Sequence, residues 1–132
     1  MIEYKFEQYN SLAPNLYRKE KYNLQVELLK LQEDIIKNNR RIAICFEGRD
    51  TAGKSSTINF FSEHLIPQNF NYVHLGIPTP HEKKFWFERW EKHLPNKGQL
   101  VLFDRSWYTR ALTEPTLGYC SKPQYEEFMN NV

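Results

Sequence analysis

The sequence predicts an α/β fold in which helices cover both faces of a parallel β-sheet. Three short apolar runs of strand-forming residues, at 41–46, 72–75 and 100–103, alternate with segments of helical periodicity. Strands that alternate with helices in this way form parallel sheets with right-handed crossovers. In such sheets ligands bind at the carboxyl ends of the strands. Polar segments follow the first and third runs, so we expect both segments to face one crevice.

Helical periodicity assigns the other elements in order along the chain. Residues 1–16 have mixed composition and are predicted to form an N-terminal arm, and residues 17–132 form the core domain. Four helices are predicted, at residues 17–39, 57–65, 81–94 and from 121 onward. An apolar stripe should form the buried face of the first helix, at Leu24, Leu28, Leu31 and Ile35. Ser121 and Gln124 form a capping-box pattern that would open the last helix.

Composition excludes several classes of protein. The 132 residues leave room for one domain, and a formal net charge of +2 gives no electrostatic reason to expect nucleic-acid binding. No apolar run approaches the roughly 18 residues of a membrane span, and no secretory signal is apparent. Cys45 and Cys120 form neither a disulfide framework nor a zinc motif. We therefore expect a cytoplasmic protein that binds neither nucleic acid nor a membrane.

Residues 48–55 have the G-x-x-x-x-G-K-S pattern of a phosphate-binding loop. The glycines allow successive backbone N–H groups to turn toward one anion, and the following helix adds the positive end of its dipole. Lys54 can reach phosphate oxygens, and the Ser55 hydroxyl can bind Mg²⁺. The predicted phosphate-binding residues of this segment are Gly48, Arg49, Thr51, Ala52, Gly53, Lys54, Ser55 and Ser56.

Asp104 directly follows the third predicted strand, which is the position of the Walker B acidic residue. Its carboxylate could hold Mg²⁺ directly or through water. Considered alone, an aspartate here more often caps the next turn. The phosphate-binding loop upstream favours the metal-binding interpretation, because both segments follow strand ends on the same edge of the sheet.

Four charged residues near these motifs are further candidates. A carboxylate inside a phosphate loop repels phosphate unless a cation lies between them, so we interpret Asp50 as a second metal-side carboxylate or as a group that orients the attacking phosphate. Alternatively, Asp50 ties the loop to Arg49 or Arg105. Arg105 and Arg110 could neutralise a transferred phosphoryl group, because guanidinium groups match phosphate oxygens. For Arg49, a solvated side chain is the alternative.

These motifs resemble the family 2 polyphosphate kinases, P-loop phosphotransferases that use inorganic polyphosphate. The likeness covers residues 20–132, and its best marker is the string Asp104-Arg105-Ser106-Trp107-Tyr108. Other segments that carry it are 47–54, 78–82 with 86–90, 93–95 with Gly98, and 114–120. Residues 86–95 look most like the branch that acts on nucleoside diphosphates.

The resemblance implies a three-layer, thymidylate-kinase-like P-loop fold. It also implies reversible, Mg²⁺-dependent phosphoryl transfer between polyphosphate and a nucleoside diphosphate such as ADP or GDP. By the same resemblance, Asp50 and Asp104 are catalytic carboxylates beside the metal, and Lys54 and Arg105 are catalytic phosphate ligands. One departure is that Thr109 replaces the usual asparagine, which could alter nucleotide preference.

Two alternatives remain open: an ATP-dependent nucleotide kinase of the same fold, and an inactive fragment that binds phosphate. Family members continue beyond this length with a lid of basic residues, whereas Lys122 is the only basic residue here after Arg110. Three parallel strands with open edges make a poor independent domain. We therefore expect the N-terminal part of a larger kinase, lacking lid and C-terminal portion, that forms a homo-oligomer.

Overall fold

The computed structural model describes residues 12–132, so most of the arm predicted for residues 1–16 lies outside the described residues. Helix α1 comprises Pro14–Lys37 and thus begins earlier than the predicted residue 17. Pro14 lies in its first turn, where a residue without an N–H group costs no intrahelical hydrogen bond. The periodic pattern was too weak at this end to place the first turn.

Three parallel strands form the sheet: β1 (Arg41–Phe46), β2 (Phe70–Val73) and β3 (Gln99–Asp104). Their order is β1-β3-β2, so β3 lies in the centre and pairs with both neighbours. The parallel sheet predicted from the sequence is confirmed. Strand β2 begins and ends earlier than the predicted residues 72–75, because its pairing with β3 runs from Leu100 to Phe103.

The remaining helices follow these strands. They are α2 (Lys54–Ser62), α3 (Pro80–Lys84), α4 (Glu88–Glu91), α5 (Thr113–Leu117) and α6 (Lys122–Asn131), with 3₁₀ turns at Pro67–Asn69 and Trp107–Arg110. The predicted capping box of α6 is confirmed, because Ser121 accepts the N–H of Gln124 and the Gln124 side chain accepts the N–H of Ser121.

Two apolar clusters make the molecule three-layered. One lies where α1 and α2 cover the sheet, and its buried members are Ile35, Ile58, Leu65, Leu100 and Leu102. The other includes residues of α4 and α6, and its buried members are Val73, Trp86, Trp90, Val101, Phe103 and Phe128. Successive residues of β3 belong to different clusters, as expected for a central strand covered on both faces.

The single helix predicted for residues 81–94 is wrong, because two short helices, α3 and α4, occupy this segment. The backbone leaves helical geometry at Phe85, with φ −113° and ψ 67°. Beyond this break, the buried Trp86 directs its indole N–H to the carbonyl of Trp107 at 2.9 Å. A continuous helix pattern in the sequence does not reveal this long-range bond.

The buried face of α1 also differs from the predicted stripe. Leu24 is 64% exposed and Leu31 is also exposed, whereas Gln25 and Gln32 are buried. The Gln32 amide donates to the carbonyl of Ile66 at 2.9 Å and accepts the N–H of Ile66 at 2.6 Å. Buried amides are tolerated when their hydrogen bonds are satisfied, so α1 buries these glutamines beside Ile35 and the partly buried Leu28, the two residues of the predicted stripe that do pack in the core.

Candidate active site

The phosphate loop lies between β1 and α2, as the sequence predicts. Three of its residues have positive φ angles: Gly48 at 151°, Thr51 at 64° and Gly53 at 88°. Gly53 precedes the first turn of α2 in the left-handed conformation, which side chains with a Cβ atom adopt at a cost. This backbone turns the loop around the N-terminus of α2, where amide groups favour an anion.

The ammonium group of Lys54 folds back onto the backbone of the loop. Its Nζ donates to the carbonyls of Gly48 at 3.2 Å and Arg49 at 2.9 Å. The ammonium group therefore lies at the mouth of the loop, where it can meet phosphate oxygens. The other loop side chains predicted to bind phosphate, at Arg49, Thr51 and Ala52, are exposed to solvent.

Asp104 is the buried acidic group of the site and is 3% exposed. Its Oδ2 accepts the hydroxyl of Ser55 at 2.7 Å and that of Tyr72 at 3.1 Å. His74 Nδ1 lies 3.6 Å from the same oxygen. Burial, and secondly the charge of Asp104, raise the pKa of Tyr72, so the phenol remains a hydrogen-bond donor. The Ser55–Asp104 contact joins the phosphate loop to the end of β3.

Tyr72 and His74 were not identified from the sequence as site residues. They lie at the carboxyl end of β2, which pairs with β3 next to Asp104. Alternate residues of a strand point to the same face, so a tyrosine and a histidine two residues apart at this end are the signal that could have identified them.

Arg105 bridges to the phosphate loop. Its guanidinium donates to Asp50 Oδ1 at 2.7 Å and to the Thr113 hydroxyl at 3.0 Å. The Asp50 side chain is 88% exposed even with this ion pair in place. This ion pair is the arrangement expected under the alternative interpretation of Asp50, which ties the loop to an arginine. The metal-side role of Asp50 stays a prediction.

Glu47, the residue before the loop, was not singled out from the residues themselves, although it lies in a segment that carries the family resemblance. Its Oε1 accepts the backbone N–H of Ser106 at 2.7 Å and the Ser106 hydroxyl at 2.6 Å. Its Oε2 accepts the Thr109 hydroxyl at 3.2 Å. The carboxylate thus ties the end of β1 to the turn that follows Asp104. A glutamate directly before the first loop glycine was the available sequence signal.

Arg110 is not brought to the phosphate loop. The residue is 2% exposed, and its guanidinium forms an ion pair with Glu114 at 3.2 Å and donates to the carbonyl of Lys83 at 3.0 Å. The guanidinium carbon lies 4.0 Å from the centre of the Trp86 ring. Burial raises the pKa of Glu114. These contacts favour a packing role, and nothing in this arrangement supports the predicted phosphate contact.

A cavity of about 510 Å³ opens beside the charged groups. Asp50, Asp104 and Arg105 line one part of it. Its apolar lining consists of Leu75, Ile77, Pro78, Trp86, Trp90 and Leu117. Concave sites with apolar walls and a few convergent polar groups are typical of small-molecule binding, so the site combines an anion-binding loop with an adjoining pocket.

Comparison with known proteins identifies the family. The family model described as polyphosphate kinase 2 (PPK2) matches residues 11–132. The chain belongs to the polyphosphate kinase 2 family. The resemblance noted in the sequence motifs is thereby confirmed, and so is the kinase-type α/β fold expected from it.

Curated polyphosphate kinase 2 relatives differ in the nucleotide that their names specify. The chain is 47% identical over 119 residues to a GDP-polyphosphate phosphotransferase of Pseudomonas aeruginosa, covering 89% of this chain and 33% of that protein. A GDP-polyphosphate phosphotransferase of Mycolicibacterium smegmatis is 50% identical over 117 residues, with coverages of 88% and 41%. An ADP-polyphosphate phosphotransferase of Pseudomonas aeruginosa is 42% identical over 122 residues, with coverages of 92% and 40%. The chain thus spans well under half the length of these relatives.

Solved structures of the family share the fold. A polyphosphate kinase 2 crystal structure from Pseudomonas aeruginosa matches with a TM-score of 0.77 at 29% identity, over 94% of this chain and 27% of that one. Polyphosphate Kinase 2 from Arthrobacter aurescens matches with a TM-score of 0.78 over 95% of this chain and 49% of that one. At 21% identity, the second likeness concerns the fold alone.

Proposed function

We propose that this chain is the phosphate-binding core of an enzyme that transfers a phosphoryl group between polyphosphate and a nucleoside diphosphate. The observation that carries the proposal is the 2.7 Å hydrogen bond from Ser55 to Asp104, which joins the phosphate loop to the Walker B position beside a cavity. The names of the relatives, GDP-polyphosphate and ADP-polyphosphate phosphotransferase, support the two substrate classes.

In the proposed reaction, a terminal phosphate oxygen of ADP or GDP attacks the terminal phosphorus of polyphosphate. The bond to the bridging oxygen breaks, so the nucleotide gains one phosphoryl group and polyphosphate becomes one unit shorter; the reverse transfer uses the same groups. The transition state spreads charge over the phosphoryl oxygens, so catalysis consists mainly of positioning and electrostatic stabilisation. Lys54 and the loop amides would hold phosphate, and Arg105 would stabilise the transferred group.

Mg²⁺ is the proposed cofactor. Among residues 12–132, no three His, Cys, Asp or Glu side chains cluster as a metal site. Mg²⁺, however, is usually held by one or two carboxylates together with substrate phosphates and water. Ser55 and Asp104 offer adjacent oxygen atoms of the required kind, so these residues fit the ion, with Asp50 as a second candidate. A bound Mg²⁺ would neutralise phosphate charge.

The cavity beside Asp104 is the proposed acceptor site. Its apolar walls, which include Trp86 and Trp90, suit the nucleoside, and Arg105 would lie near its phosphates. The Asp50–Arg105 ion pair would open when phosphate binds, because phosphate offers the guanidinium a stronger partner. Asp50 would then be free to orient the attacking phosphate or to approach the metal.

The compartment and the assembly of the protein are also proposals. Within residues 12–132, none of the helices combines the length and the apolar character needed to cross a membrane. We propose a cytoplasmic location, supported by the free cysteines Cys45 and Cys120, which suit a reducing compartment. We also propose a homo-oligomer, supported by the exposed outer strands of the sheet.

A donor assay tests the proposed function. Protein is incubated with Mg²⁺ and ADP or GDP, with either polyphosphate or ATP as donor, and nucleoside triphosphate is measured. We expect triphosphate from polyphosphate, and polyphosphate from the triphosphate in reverse. Product from ATP but never from polyphosphate would instead identify an ATP-dependent nucleotide kinase. Binding of polyphosphate without turnover by any donor would identify a phosphate-binding fragment.

A further inference from the structure

Glu47 is an acidic residue beside the phosphate loop to which neither phosphate binding nor the proposed metal site gives a role. Its two carboxylate oxygens accept hydrogen bonds from three neutral donors, the N–H and hydroxyl of Ser106 and the hydroxyl of Thr109. Among residues 12–132, no Lys, Arg or His side chain forms an ion pair with it. Partial burial of a carboxylate costs desolvation free energy, and neutral donors offset this cost less than a paired cation would. All of these donors lie in the turn that follows Asp104, at residues 105–109.

That turn contains a strained residue. Arg105 has a φ of 66°, a left-handed conformation that residues other than glycine rarely adopt. Two consecutive amides hold it in place, because Arg105 N–H donates to the carbonyl of Phe46 at 3.0 Å and Ser106 N–H donates to Glu47 at 2.7 Å. Phe46, the last residue of β1, and Glu47, the residue before the loop, thus fix the position of Arg105.

The two oxygens of Glu47 are already engaged. Oε1 accepts two hydrogen bonds from Ser106, and the Thr109 hydroxyl is shared between Oε2 at 3.2 Å and Oε1 at 3.5 Å. A metal ligand would need a free oxygen that faces Asp104 and Ser55, and the Glu47 carboxylate instead faces the turn. This arrangement favours a role in which Glu47 acts through the residues that it holds.

We propose that Glu47 is a positioning residue that sets the turn of Asp104 and Arg105 against the phosphate loop. The inference rests on the proposed function, since Arg105 is the group expected to stabilise the transferred phosphoryl. Glu47 anchors the backbone of the turn. The ion pair with Asp50, at 2.7 Å, links the Arg105 side chain to the loop. Small displacements of such groups reduce rates strongly, because catalysis of this kind depends on alignment.

Kinetics of the polyphosphate reaction separate positioning from folding. We expect Glu47→Ala to lower kcat by about tenfold to hundredfold, with the KM of both substrates changed by less than about threefold. Glu47→Gln should lose less than about fivefold, because its amide oxygen can still accept the Ser106 N–H. Glu27→Ala is the matched control, since Glu27 is an exposed glutamate of α1 that pairs with Lys30.

An Arg105→Ala background makes the test specific. If Glu47 acts through Arg105, Glu47→Ala should cost less than about threefold in kcat once Arg105 is absent, since coupled residues are not additive. An equal loss in both backgrounds would overturn the proposal. Should Glu47→Ala fail to fold, Ser106→Ala takes its place, because it removes one side-chain donor of the same turn and should show the same dependence on Arg105.

Hydrogen exchange tests the inference independently of turnover. The amides of Arg105 and Ser106 should exchange at least about tenfold faster in Glu47→Ala than in the unmodified chain, and near the normal rate in Glu47→Gln. Unchanged exchange in Glu47→Ala would refute the anchoring role even in an inactive protein. An unmodified chain that shows no phosphoryl transfer would count against the proposed function alone, and the exchange result would still decide the role of Glu47.

Discussion

At the scale of single residues, the chemistry of the site depends on how one buried carboxylate is partnered. Asp104 accepts the Ser55 and Tyr72 hydroxyls on the same oxygen. Both donors are neutral, so the negative charge of Asp104 remains available to a cation. A divalent ion between this carboxylate and bound phosphates would balance charges that otherwise repel each other.

Replacing the carboxylate by an amide tests this role. Asp104→Asn should lower turnover by orders of magnitude, because it removes a charged Mg²⁺ partner while nearly preserving the shape of the side chain. The amide oxygen can still accept the Ser55 hydroxyl, so the melting temperature should change little. Turnover at saturating polyphosphate and GDP, measured across a Mg²⁺ titration, checks the prediction. Near-normal turnover would remove Asp104 from the mechanism.

The ammonium group at the mouth of the loop provides the second residue-scale prediction. Lys54→Ala should weaken polyphosphate binding by about tenfold or more, because it deletes a charge-assisted phosphate contact. Titration calorimetry with polyphosphates of different lengths gives the affinity. Lys97→Ala is a suitable control, since Lys97 lies before β3, at the opposite end of that strand from Asp104. Equal affinities for both variants would mean that the loop is not the phosphate site.

The positions of the candidate site residues were predictable from the sequence where they depend on local structure. The loop glycines and Lys54 follow β1, and Asp104 ends β3, so the carboxyl ends of two paired parallel strands bring them to one edge of the sheet. Arg110 shows the limit, because two of its partners come from a distant segment: the Trp86 ring lies against its guanidinium, and the carbonyl of Lys83 accepts a hydrogen bond from it. A guanidinium near a motif looks the same in sequence whether it faces a ligand or the core.

At the scale of elements, α1 shows how buried polar residues can contribute to a helix interface beside apolar ones. Gln32 forms two hydrogen bonds with the backbone of Ile66, and Gln25 donates to the carbonyl of Phe60 at 3.1 Å. Both glutamines therefore fix α1 against the segment that ends α2. A buried amide with satisfied bonds also specifies one alignment of the two helices, because a shift would leave polar groups unpaired.

Truncating one of these glutamines should be costly for stability. Gln32→Ala leaves the partly buried N–H of Ile66 without its partner and removes one of the two hydrogen bonds that the Ile66 carbonyl accepts, and we expect a loss of about 1–3 kcal/mol in the free energy of unfolding. The neighbouring exposed residue gives the control, since Glu33→Ala should change stability by less than about 0.5 kcal/mol. Urea denaturation of both variants compares them directly. Equal stability of the two would show that the Gln32 bonds contribute nothing.

Strands were easier to predict than helices in this chain, for a physical reason. The apolar run 41–46 has the same bounds in the structure, because its pairing with β3 extends over the whole segment from Arg41 to Phe46. The helix over residues 81–94 was wrong, and the stripe of α1 was right only at Leu28 and Ile35. Gln32 and Trp86 form bonds to distant backbone groups instead. Hydrophobic periodicity carries no information about such partners.

At the scale of the whole molecule, the outer strands of the sheet are its least protected parts. Among residues 12–132, strand β1 pairs with β3 alone, and Arg41 and Ala43 in it are exposed. Exposed edges of this kind can pair with other chains. Coverage of the free edge of β1, by a second copy or by other protein segments, would relieve this exposure.

A charge on this edge should reduce association of the chain with itself. Ala43→Lys places a positive charge on β1 without removing a core residue, and charged edges oppose strand pairing. We expect the 132-residue chain to form concentration-dependent oligomers in sedimentation velocity runs, and the variant to shift toward monomer. Asn59→Lys, an exposed change on α2 outside the phosphate loop, serves as the control for added charge. Identical association of all three proteins would exclude the β1 edge as the contact.

The alternation along β3 makes this strand unusually sensitive to changes in length. Leu100 and Leu102 belong to one apolar cluster, and Val101 and Phe103 belong to the other. Deleting a single residue from β3 would exchange the two sets between layers and turn Asp104 away from Ser55. Natural variation and engineering should therefore tolerate substitutions of similar volume within β3 but no insertion or deletion, which would cost core packing and chemistry together.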